Sequence, residues 1–208
     1  LRKHANPYAG EILEIAEKVS YPGGYLLNMS YEWSCTSGVA PDPDDKESSR
    51  LLRTLDWPLD GLGRNVIVAR VEGAAGPYFN VTWPGFVGVL TAMAPGRFSA
   101  AINQPPMRRY TASCHFDWVV NRAGMWRKSG LPPVHLLRRV FDTCETYEEA
   151  KKVLTETQLC LPAFFSLSGV KAEEGCALER TEKRVAVRNT PTAISTPCVA
   201  LDDPAMER

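Results

Sequence analysis

Residues 34–40 read Ser34-Cys35-Thr36-Ser37-Gly38-Val39-Ala40, and eighteen residues after the cysteine the chain reads Arg53-Thr54-Leu55-Asp56-Trp57. A single thiol followed by a spaced Arg and Asp has the make-up of a nucleophile site. The thiolate is the reactive form of cysteine, so a catalytic Cys needs a base and positive charge close by, which a fold can deliver from distant sequence. Arg53 is the candidate for the charge. Cys35 also opens a region, running to about Asn103, whose pattern is that of strands. Asn65 to Val71 is rich in Val and Ile, and Tyr78 to Trp83 alternates. Phe86 to Met93 and Phe98 to Asn103 flank Ala94-Pro95-Gly96-Arg97 as the two arms of a hairpin.

Outside that region the period changes. Upstream, Ile12, Ile15 and Ala16 recur at helical spacing between Asn6 and Val19, and Pro22-Gly23-Gly24 interrupts the pattern before an apolar stretch at Tyr25 to Met29. Downstream of Pro132-Pro133, Val134, Leu137, Val140 and Phe141 share one helical face. Thr146 with Glu149 forms a capping box for a helix through Leu154. Strand-like stretches follow at Ala163 to Val170, Gly175 to Arg180 and Arg184 to Val187. Strands, two helices, then strands predict an α+β layered domain.

With 208 residues, 44% hydrophobic and 23% charged, the chain can bury a sizeable core. Its 24 basic and 24 acidic residues cancel, which argues against nucleic acid or an anionic membrane surface as partner and favours a neutral or apolar small molecule. No apolar run reaches the roughly 18 residues of a membrane span, and no signal peptide is visible. The expectation is a soluble protein, with the cytoplasm favoured.

The six cysteines, at 35, 114, 144, 160, 176 and 198, include no CxxC pair and no Cys/His cluster of zinc type, so neither a metal nor another cofactor is expected. Cys114, Cys144, Cys160 and Cys176 read as core thiols. Two N-x-S/T triplets, Asn28-Met29-Ser30 and Asn80-Val81-Thr82, are glycan acceptors only in a secretory protein. His115 beside Cys114 suggests a dyad, but on a strand adjacent side chains point to opposite faces.

The order of several segments resembles one family. Leu26-Leu27-Asn28, Tyr31-Glu32, Cys35-Thr36-Ser37, Arg53-Thr54-Leu55-Asp56-Trp57, Gly85-Phe86-Val87-Gly88-Val89-Leu90-Thr91 and Pro95-Gly96-Arg97-Phe98-Ser99 are similar to the acid ceramidase and N-acylethanolamine acid amidase family, of which choloylglycine hydrolases are more distant members. Thr146-Tyr147-Glu148-Glu149-Ala150-Lys151, Pro162-Ala163-Phe164-Phe165 and Glu174-Gly175-Cys176 continue the likeness. It implies an α+β, four-layer αββα sandwich of the N-terminal-nucleophile hydrolases, with residues 1–34 a helical, propeptide-like segment and 35–208 the nucleophile domain. Self-cleavage between Ser34 and Cys35 would free an α-amine of pKa about 7.7 to 8.0, able to act as the base for its own thiol.

By the same resemblance, Cys35 attacks a linear amide of an N-acylated small molecule, and an acyl-enzyme forms and hydrolyses. Asp56 orients the α-amine, Arg53 holds the thiolate, and Asn103 contributes to the oxyanion hole. Trp57, Trp83 and Phe86 line an acyl-chain pocket. Two alternatives stand beside hydrolysis: acyl transfer to an amine on the same fold, and a non-catalytic binding relative. Assembly is either a heterodimer of the two self-cleaved pieces or a homo-oligomer. Two positions depart from the family pattern. Gln104 replaces an acidic residue after Asn103, and Pro197 falls where the family carries an amide donor, a position at which proline has no N–H to offer. Plainer readings also exist: Arg53 with Asp56 as an ion pair, Asn103 as a turn former, and the aromatics as core.

Overall fold

In the computed structural model of the chain, residues 6–19, 23–29, 34–56, 61–106, 108–125, 130–189 and 194–195 are described. Seven of the strands form one antiparallel sheet: β3 (Ile67–Gly73), β4 (Gly76–Thr82), β5 (Thr91–Ala94), β6 (Phe98–Asn103), β7 (Ala163–Ser168), β8 (Gly175–Arg180) and β9 (Val185–Asn189), neighbours in that order. A smaller sheet runs β10-β1-β2, with β1 spanning Ser34–Pro41, β2 Ser49–Asp56 and β10 Ile194–Ser195. The two sheets lie face to face. Hydroxyl pairs join them at Ser37–Ser166 and Ser49–Ser168, each 2.8 Å apart.

On the other face of the large sheet lie α4 (Pro133–Thr143) and α5 (Tyr147–Glu156). The apolar face expected from the sequence is the one α4 buries: Val134, Leu137, Val140 and Phe141 are enclosed, with Phe141 stacked at 5.2 Å from Tyr78 and 5.0 Å from Phe98. Thr146 caps α5 by accepting from the Glu149 amide at 3.2 Å, while the Glu149 carboxylate reaches back to the Glu145 amide rather than to that of Thr146. Arg97, in the β5–β6 turn, donates to the carbonyls of Cys144 at 2.7 Å and Phe141 at 3.3 Å. It thereby satisfies oxygens that the end of α4 leaves without helical partners. Helix on sheet on sheet is the layering of an α+β sandwich.

Two expectations change. Phe86 to Leu90 is not a strand; β5 begins only at Thr91. Gly85 turns the chain at φ +87°, and Val89 N–H donates to the Val134 carbonyl at 3.0 Å, so this apolar run packs on the start of α4 instead of pairing in the sheet. The backbone approaches so closely that a Cβ on Gly88 would meet Val134 Cβ at 2.8 Å. Residues 114–115 belong to a helix, α3 (Cys114–Met125), and not to a strand. Its apolar residues hid the helical period because Phe116, Trp118 and Val119 point to solvent while the polar Asp117 is buried, accepting from Thr111 N and Oγ1 at 3.0 Å.

The N-terminal helices α1 (Ala9–Val19) and α2 (Gly23–Met29) pack on each other, and the start of the described chain docks on α4 through polar groups. Tyr8 Oη donates to Asp142 at 3.0 Å, Arg138 pairs with Glu11 at 2.8 Å and stands 4.5 Å over the Tyr8 ring, and the Asn6 amide donates to His135 Nδ1 at 2.8 Å. Among the described residues no helix is long and apolar enough to cross a membrane.

Candidate active site

The β1–β2 register places Ser34 opposite Asp56, Cys35 opposite Leu55 and Ser37 opposite Arg53. Side chains alternate along each strand, so Cys35, Ser37, Arg53 and Leu55 face the large sheet and Asp56 faces away. Arg53 is diagonal to Cys35, a span that a long side chain covers. Its Nη2 donates to Cys35 Sγ at 3.1 Å and to the Ile102 carbonyl at 2.9 Å. Its Nη1 donates to the Leu90 carbonyl at 3.3 Å and to the Thr91 hydroxyl. The guanidinium is therefore held by β5 and β6 on one side and presented to the thiol on the other.

Cys35 is only 1% exposed. Burial raises its pKa, and Arg53 and the Asp56 backbone N–H draw it back without cancelling the rise. In the intact chain the thiol therefore stays protonated near neutral pH, with its cationic partner already placed. Asp56 is exposed and flanks the Ser34–Cys35 peptide across the strand pair.

Asn103 ends β6 fully buried, and its amide donates to Ser37 Oγ at 2.8 Å, two residues along β1 from the sulfur. It lies beside β1, the strand that carries Cys35. Gln104, the next residue, is half-buried. Trp83 and Phe86 are buried in the same apolar cluster as Cys35, ring edge to ring face with centroids 6.3 Å apart. The Trp83 indole N–H is used at Leu62 O, 2.9 Å away. Trp57 and Pro197 lie outside the described residues.

Two groups at the site carry no role that the sequence reveals. Thr91 and Ser37 are small hydroxyl residues in strands, and nothing in their neighbours marks them; only the register shows that they face Arg53 and Asn103. Asn28, the first residue of an N-x-S/T triplet, is buried and bonded on both sides of its amide. Its amide donates to the carbonyls of Gly85 at 2.8 Å and Gly24 at 3.1 Å, and its carbonyl accepts from Val87 N at 2.8 Å. It ties α2 to the loop that carries Phe86. Asn80 is also buried, donating to Gly88 O at 3.3 Å, so neither triplet offers an accessible asparagine in the folded chain.

Comparison with known proteins adds relatives. No family model matches the chain. It is 33% identical to acid ceramidase of Homo sapiens, over 85% of its own length and 48% of that protein's, and equally similar to acid ceramidase of Macaca fascicularis over the same shares. It is 30% identical to a probable acid ceramidase of Caenorhabditis elegans, over 86% and 48% respectively. The chain thus spans about half the length of the curated relatives it matches. Among solved structures it superposes on the Caenorhabditis elegans ortholog of N-acylethanolamine-hydrolyzing acid amidase with a TM-score of 0.63 and 23% identity, covering 78% of this chain and 69% of the other. The shared fold is that of the N-terminal-nucleophile hydrolases.

Proposed function

The chain is a homologue of the acid ceramidases over most of its own length, and from that premise we propose that it is a cysteine amidase acting on a linear amide of an N-acylated small molecule. The observation that carries the reading is the Arg53 guanidinium at 3.1 Å from the Cys35 sulfur, at the start of the strand that follows the proposed cleavage point. Before cleavage the site is closed twice over, since Cys35 is sealed in the core and, among the described residues, no basic side chain accepts from its thiol. Attack of Cys35 Sγ on the Ser34 carbonyl breaks the Ser34–Cys35 C–N bond, forms a thioester and leaves the Cys35 nitrogen as a free amine. Water then hydrolyses the thioester, giving the Ser34 carboxylate and restoring the thiol.

That amine is the base the buried thiol lacked. In the substrate reaction it takes the thiol proton as Cys35 Sγ attacks the amide carbonyl, and returns it to the leaving amine. Water resolves the acyl-enzyme to the free acid. Arg53 stabilises the thiolate while it exists, and Asp56, across the strand pair from Ser34, orients the new amine. Asn103 serves the developing oxyanion after its amide is released from Ser37, and Trp83 and Phe86 border the acyl side. The two products of cleavage stay together as one heterodimer through the contacts of Asn6, Tyr8 and Glu11 with α4 and of Asn28 with the Phe86 loop.

The test is intact-mass measurement of the purified protein, followed by turnover of a panel of N-acyl amides with and without an added acceptor amine. Expected are two fragments meeting at Ser34/Cys35, release of free acid, and loss of both in Cys35→Ala. Turnover that survives Cys35→Ala would remove this cysteine from the chemistry. An acylated acceptor in place of free acid would make the enzyme an acyltransferase.

A further inference from the structure

Arg53 can serve Cys35 only if its planar head is fixed in one orientation, and the structure shows what fixes it. The Nε is buried without a hydrogen-bond partner, so the head is held at its two terminal nitrogens alone. On the Nη1 side the carbonyl of Leu90 is 3.3 Å away, at the long end of hydrogen bonding, and the remaining acceptor is the hydroxyl of Thr91. Thr91 opens β5, where it lies opposite Val81 and Ala101 in its neighbours, with its side chain turned toward the small sheet.

We propose that Thr91 is a positioning residue for the nucleophile: its hydroxyl holds one arm of the Arg53 fork so that the other arm meets the Cys35 sulfur. The inference rests on the reading of Cys35 as nucleophile and adds a residue outside the Cys-Arg-Asp set. Loss of the hydroxyl leaves Nη1 facing a methyl group and a distant carbonyl. The head then rotates toward the Ile102 carbonyl, which already competes for Nη2 at 2.9 Å. The charged group in contact with the sulfur is Arg53, while the Asp56 carboxylate points away and acts only at longer range, so the electrostatic hold on the thiolate passes through the orientation of Arg53.

A purely structural role for the hydroxyl predicts lower stability and an unchanged thiol. Thiolate absorbance near 240 nm separates the two, because subtracting the spectrum of a matched Cys35→Ser protein isolates one thiol from the others. In Thr91→Val the Cys35 titration midpoint should move up by about one pH unit, within the one to three that a neighbouring opposite charge commands. Thr91→Ser should restore the wild-type midpoint. Thr91→Ala removes the oxygen without a new methyl against the head and should repeat the Val result if the Val protein folds poorly. An unmoved midpoint in Thr91→Val and Thr91→Ala, or a shift that Thr91→Ser does not reverse, overturns the proposal. A midpoint shift in a protein that neither cleaves itself nor hydrolyses amides would instead sink the amidase and leave the hold of Thr91 on the thiol standing.

Discussion

Replacing His135 by Gln should remove an acid weakness built into α4. His135 is 1% exposed, and its Nδ1 accepts from the Asn6 amide. Asn6 cannot turn to oblige a protonated ring, because its carbonyl oxygen already accepts from Tyr8 N at 3.1 Å. The ring is thereby kept as the neutral form with hydrogen on Nε2, and that nitrogen is buried without a partner. Burial, with the Arg138 charge adding to it, depresses the pKa from 6.5 to about 4. The unfolded chain therefore binds this proton first as pH falls. The folded state holds its full advantage above about 6.5, loses it across the interval down to about 4, and loses nothing more from this group below. At about 1.4 kcal/mol per pH unit the loss is about 3 kcal/mol. With a urea slope of about 2 kcal/mol/M, it moves the unfolding midpoint by about 1.5 M.

Other groups titrate over the same range, so the quantity to measure is the difference between wild type and His135→Gln in urea melts from pH 7.5 to pH 4. Gln keeps an acceptor for Asn6 and has no proton to bind. The difference should grow in favour of the variant as the pH drops. A difference that stays flat with pH would refute the reasoning, whatever its sign.

Asn28→Leu removes two hydrogen bonds between α2 and the Phe86 loop and one within α2, and leaves the Val87 amide without its acceptor. A loss of about 2 to 4 kcal/mol is expected in chemical denaturation, with the Phe86 loop newly open to proteolysis. Gly88→Ala drives a methyl into Val134, which is β-branched and buried, and should cost about 1 to 3 kcal/mol in thermal unfolding; a neutral result would mean that the loop shifts freely. Asp56→Asn should depress kcat of the cleaved protein more than KM. An effect confined to KM would assign Asp56 to substrate binding instead.

What could be read in the sequence was whatever repeats with a period or forms a local bond. The apolar face of α4, the Thr146 cap, and the turn and second arm of the β5–β6 hairpin are of that kind, and each is found where its residues predicted. The structure also brings Arg53 to Cys35, because β1 and β2 pair antiparallel with the two residues on one face. The run Phe86 to Leu90 failed because its hydrophobicity reports burial alone, and the partner that buries it, α4, is distant in the chain. Residues 114–125 failed in the opposite way, since Phe116, Trp118 and Val119 are exposed on their helix and the polar Asp117 is inside. The partners of Asn103 and Arg53 were unreadable for a third reason. A hydroxyl of Ser37 or Thr91 acquires meaning only when the two sheets are stacked.

The burial of Asn28 and Asn80 has a consequence for biosynthesis. Each side-chain amide is engaged with backbone of the Gly85–Gly88 loop, so a sugar-transferring enzyme meets either asparagine only on a chain that has not yet closed. Were the chain made where such enzymes work, a sugar on either residue would mark a molecule that was caught before folding and can no longer seat that loop. The heavier band on a gel would then count the failures of folding, and the unmodified band the chains able to bring Arg53 to Cys35.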